Sequence, residues 1–153
     1  MLPNSKLIVP CAGLTSAGAG TDINCSVDML GFDFLSLDIW LSTFAAASTT
    51  LTTIKLGDGS VTNLTSATDI VAFTGGTSVT ATTGWVIPTA MSTSVPTLLK
   101  FNVDCRSLDR YLTLEIVPVT AHTAWVFCNK FRGGTEPTTA AEVGVAAVVN
   151  NFS

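Results

Sequence analysis

Side chains able to do chemistry are few in this sequence, and their spacing favours structure over catalysis. The single histidine, His122, lies in the turn-like stretch Thr120-Ala121-His122-Thr123. A lone histidine in a loop between two strands is expected to be solvated, as neither a base nor a metal ligand. Paired carboxylates are the next test, because two acids can run glycoside hydrolysis. Asp28, Asp33 and Asp38 recur around one strand entry, and Asp104 and Asp109 flank the corner Asp104-Cys105-Arg106-Ser107-Leu108-Asp109-Arg110. Asp28 and Asp33, however, frame a glycine turn. Asp104 and Asp109 stand beside Arg106 and Arg110, whose planar guanidinium can fork onto a carboxylate and fix the angle of a corner.

The four cysteines, Cys11, Cys25, Cys105 and Cys128, are 14, 80 and 23 residues apart. None forms the close pair that zinc sites use. They are expected to be reduced and structural, with Cys25 and Cys128 as small buried apolar groups. No nucleophile elbow, phosphate loop, metalloprotease motif or dinucleotide fingerprint is present. The expectation is therefore no catalytic residue, no metal and no cofactor. Among the three tryptophans, Trp85 is the best candidate for a platform on which a sugar could stack.

Composition points towards assembly. The chain is 47% hydrophobic and 12% charged, about half the usual charged share. A free monomer with so few charges would be poorly solubilised, so large protein-covered areas are expected. The net charge of −4, with seven Lys and Arg scattered along the chain, argues against nucleic acid as a partner. No run of about twenty apolar residues is present to span a membrane.

The elements that must position these residues read as strands. Phe34 to Leu41 sets Leu35, Leu37, Ile39 and Leu41 on one face, and Phe34, Ser36, Asp38 and Trp40 on the other. Leu98 to Val119 reads as a central hairpin, in which Leu99, Phe101 and Val103 alternate with polar residues, as do Leu112, Leu114 and Ile116. Gly57-Asp58-Gly59-Ser60 has the chemistry of a turn. Ala124 to Phe131 is apolar on both faces, with Trp125, Phe127 and Phe131 on one and Ala124, Val126 and Cys128 on the other. Such a strand belongs deep in a sandwich or at a subunit contact. About eight strands without convincing helices predict an all-β chain, an antiparallel β-sandwich of jelly-roll type. It would span residues 21–132, between an N-terminal arm (1–20) and a C-terminal arm or terminal strand (133–153). Phe34, Trp40, Trp125, Phe127 and Phe131 add apolar bulk beyond one core face and are the candidate interface residues. Arg106 and Arg110 are the candidates for polar pinning.

The stretches GFDFLSLDIWL (31–41), LTTIKLGDGS (51–60) and especially KFNVDCRSLDRYLTLEI (100–116) together resemble the small jelly-roll head decoration, or cement, proteins of tailed bacteriophages. The shared feature is a strand ending in F-x-V-D, a short arginine-containing corner and R-Y-L-x-L. The resemblance implies a non-enzymatic virion protein, made in the host cytoplasm and placed on the outside of the head. There it would form a homotrimer that binds the major capsid protein and reinforces the shell. The alternative expectation is a receptor- or glycan-binding sandwich, as in fibres and lectin-like modules.

Overall fold

A computed structural model of the chain describes residues 5–16, 21–44, 51–62, 64–88, 93–132 and 148–151. Eleven strands lie among them: β1 (Ser5–Ser16), β2 (Ile23–Asp28), β3 (Phe34–Leu41), β4 (Leu51–Gly59), β5 (Thr68–Asp69), β6 (Gly75–Gly76), β7 (Trp85–Val86), β8 (Thr97–Asp104), β9 (Tyr111–Pro118), β10 (His122–Phe131) and β11 (Val148–Asn151). One sheet runs β1-β10-β3-β8-β11 and the other β2-β9-β4-β6-β7, with β5 beside β4. The long strands β1, β2, β3 and β4, and again β8, β9 and β10, alternate between the two sheets. Each connection thus crosses the sandwich, as in jelly-roll winding. Pairing is antiparallel throughout except for β6 with β7 and β11 with β8.

Period-two alternation decides which side chains fill the gap between the sheets. Leu35, Leu37, Ile39 and Leu41 of β3 are all fully buried. Beside them lie Leu99, Phe101 and Val103 of β8 and Ala124, Val126 and Cys128 of β10. The facing sheet contributes Ile23, Cys25 and Val27 of β2, Leu112, Leu114 and Ile116 of β9, and Leu51, Ile54 and Leu56 of β4. Each large aliphatic side chain so buried contributes about 1.5–3 kcal/mol relative to exposure. An aromatic centre stiffens the core. Phe101 lies 5.3 Å from Phe73 and meets Trp85 edge to face at 5.9 Å.

Four sequence expectations are corrected. The stretch Leu98–Val119 is not a hairpin, because β8 pairs with β3 and β11 while β9 pairs with β2 and β4 in the opposite sheet. Its seven-residue corner lacks the two-residue turn that marks a tight hairpin and is long enough to bridge the roughly 10 Å between stacked sheets. Gly57-Asp58-Gly59 is no turn but the end of β4, paired with Thr113, Leu112 and Tyr111. His122 is not in a solvated loop: it opens β10, is buried, and packs on Phe44 with ring centroids 3.9 Å apart. Cys25 is not reduced but disulfide-bonded, whereas Cys105 and Cys128 are free and buried.

Candidate interaction face

The two outer faces of the sandwich differ in chemistry. On the sheet β2-β9-β4 the outward residues are mostly polar, with Val117 and Tyr111 half-buried among them: Ser26 and Thr113 share a hydroxyl hydrogen bond of 3.2 Å, and Lys55 pairs with Glu115 at 3.0 Å and Asp69 at 3.2 Å. On the sheet β10-β3-β8 the same alternation that buries Leu37 and Val126 turns aromatic residues outward. Trp125 is the register partner of Trp40, which in turn pairs with Leu98. Trp40 is 44% exposed and Trp125 39%, two large apolar groups side by side in water. The next row sets half-buried Phe127 beside Asp38 and Lys100, whose ammonium lies 2.6 Å from the Asp38 carboxylate. Leu7 and Val9 of β1 are also exposed, and the backbone of Gly13, at φ +65°, lies under the Trp125 indole.

Further along the face, Phe131 pairs with Phe34, and Phe34 with Asp104. Phe131 is half-buried, while Phe34 is buried beneath the Arg106 guanidinium, 5.1 Å from its ring centroid. The structure therefore gathers all five aromatic candidates, Phe34, Trp40, Trp125, Phe127 and Phe131, on one face, and leaves the two tryptophans the most open of them.

The arginines hold corners. Arg106 forks onto Asp104 inside its own turn, with Nε 2.9 Å from Oδ1. Arg110 does not take the neighbouring Asp109. It reaches Asp28, 82 positions away, with Nε to Oδ1 at 2.9 Å and Nη2 to Oδ2 at 2.6 Å, and stacks over Tyr111. The Asp28 carboxylate is held well below the usual carboxylate range, first by the Arg110 hydrogen bonds and then by the Leu30 amide. The Asp109 amide instead donates to Asp58.

The Cys128 thiol is pushed up to about 12, mainly by burial, and is inert as a nucleophile. Among the described residues no group of His, Cys, Asp and Glu could hold a metal. A shallow groove of about 390 Å³ beside Thr53, Thr74, Gly76 and Thr83 contains only Lys55 and Asp69 as charged groups, already paired. Trp85, the sugar-platform candidate, packs into the core edge against Phe101, with its Nε1 buried. Among the described residues no helix is long and apolar enough to cross a membrane.

Sequence reasoning missed the Asp38–Lys100 pair and the outward Leu98. Alternation assigned each to a face, but only the β3–β8 register brings them together.

No protein-family model and no curated protein matches the chain. Solved structures with some likeness include the infectious bursal disease virus VP2 subviral particle, at 15% identity and TM-score 0.47, covering 87% of this chain and 34% of that one. The T=1 particle derived from infectious bursal virus gives 14% identity and 0.48, with 87% and 32% covered. Tripeptidyl peptidase 2, an unlike protein, gives 10% and 0.47, with 89% and 11% covered. The chain spans about a third or less of each of these proteins, and overlaps at this level establish no common family.

Proposed function

We propose that the protein is a structural component of a virion: a decoration protein that forms a homotrimer on the outer surface of a phage head and reinforces the major capsid protein shell. The observation that carries the reading is the exposed Trp40–Trp125 pair, flanked by Leu98 and Phe127, on one face of a sandwich whose opposite face is mostly polar. Adjacent exposed tryptophans are what a buried protein–protein contact uses as anchors. The motif F-x-V-D, corner, R-Y-L-x-L adds the resemblance to decoration proteins. In this reading the tryptophan face packs against neighbouring copies, and β1 and β11, at the two edges of the same sheet, extend the contacts. Binding to the shell is then additive: three modest contacts from one rigid trimer hold far more tightly than one.

The experiment is sedimentation of the purified protein together with a heat-release assay on heads assembled with and without it. The wild type is expected to run as a trimer and to raise the temperature at which heads burst. Trp40→Ser with Trp125→Ser is expected to give a folded monomer that no longer protects heads. A wild-type monomer with no affinity for heads would overturn the proposal.

A further inference from the structure

The seven basic side chains divide into two groups. Lys55, Lys100, Arg106 and Arg110 each pair with a carboxylate. The other three, Lys6, Lys130 and Arg132, have no carboxylate within ion-pair distance among the described residues. These three gather at one corner of the sandwich. Lys6 of β1 and Lys130 of β10 are register partners, and like charges directly opposite in an antiparallel pair are destabilising. Lys130 and Arg132 both lie over the Phe32 ring, at 4.4 and 4.8 Å from its centroid.

Lys130 is only 6% exposed, and the Asp28 backbone carbonyl, 2.6 Å away, takes one of its three ammonium protons. The Asp28 carboxylate is forked by Arg110 and attracts Lys130 only from beyond ion-pair distance. Arg132 is half-buried, and its Nε is removed from water without a hydrogen-bond partner. Burial, and then the charge of Lys6, lowers the Lys130 pKa more than the nearby Asp28 charge raises it, as expected where like charges are crowded together. In a chain of net charge −4 such a concentration stands out.

We infer that the Lys6–Lys130–Arg132 corner is a binding site for a carboxylate. A planar, bidentate acceptor matches a guanidinium edge with ammonium groups beside it. The Phe32 ring lies against the buried Lys130 and the half-buried Arg132, and the exposed Lys6 leaves the site open on one side. The carboxylate could come from a small molecule or from an acidic side chain of a second copy. The inference does not depend on the trimer or on the head.

The test titrates the full chain with glutarate against sodium chloride at matched ionic strength, following the thermal midpoint and the NMR resonances of the Lys130 ammonium and Arg132 Nε–H. Glutarate is expected to raise the midpoint by several degrees beyond the salt control and to move both resonances saturably. Lys6→Gln and Arg132→Gln should each weaken the response at least tenfold. Lys6 is exposed, so its variant is the one least exposed to a folding defect. No response beyond matched chloride in the wild type, or an undiminished response in a folded Lys6→Gln variant, overturns the site. Sedimentation of Lys6→Glu then separates the sources. A lowered self-association constant assigns the carboxylate to a second copy, and an unchanged one assigns it to a small molecule.

Discussion

At the scale of single residues, charge is used to hold corners. Arg110 reaches from the β8–β9 corner to Asp28 at the end of β2, and Arg106 closes the same corner on Asp104. Because the folded Asp28 is held below its ordinary value, its ionised form stabilises the fold above about pH 3.9, the unfolded value. That contribution is lost as the pH falls below this towards the folded value. Both partners of the pair are nearly half exposed, so Arg110→Gln is expected to lower stability only slightly at neutral pH, where solvent screens the pair. It should also move the start of acid unfolding to higher pH, because Asp28 then titrates nearer its ordinary value. Urea denaturation of both proteins between neutral pH and pH 3 measures this. Asp109→Asn should have no comparable effect, since its side chain is not the one Arg110 holds.

Strands and their connections were legible in the sequence to different degrees. The inward sets Leu35-Leu37-Ile39-Leu41 and Leu112-Leu114-Ile116 follow from alternation alone, because a residue's face depends only on its position along its own strand. The aromatic face was legible for the same reason, as Phe34, Trp40, Trp125, Phe127 and Phe131 all fall on the outward phase of β3 or β10. Which strand lies next to which was not. The sheet positions of β8 and β9, the choice of Asp28 over Asp109 by Arg110, and the Lys6–Lys130 juxtaposition all depend on contacts between residues far apart in the chain. His122 was misplaced because a polar residue next to Thr and Ala reads as loop, whereas its burial depends on Phe44 from the β3 end. Phe101 tests the element scale. It joins β8 to Phe73 and Trp85 beneath the short strands β6 and β7. Phe101→Ala is expected to cost about 3–5 kcal/mol, read as a lower denaturation midpoint.

At the scale of the whole molecule, association through the tryptophan face differs from association through exposed charge. Among the described residues its ion pairs, Asp38–Lys100 and Asp104–Arg106, are both internal to the chain, and the Lys100 and Asp104 side chains are only 8% and 1% exposed. Self-association through this face is therefore expected to persist in about 1 M salt, where the Debye length falls to roughly 3 Å. A contact made by Lys6 and its neighbours would weaken under the same conditions. Sedimentation at low and high salt distinguishes the two. The unequal faces of the sandwich carry one more consequence. A coat protein that is sticky on both sides would recruit further layers without end. Here the side opposite the tryptophans is dominated by hydroxyls and neutralised charges, so in the proposed role each bound copy would present a largely water-loving exterior. If the protein decorates a shell as proposed, coverage is expected to be self-limiting, stopping at a single layer once the available positions are filled.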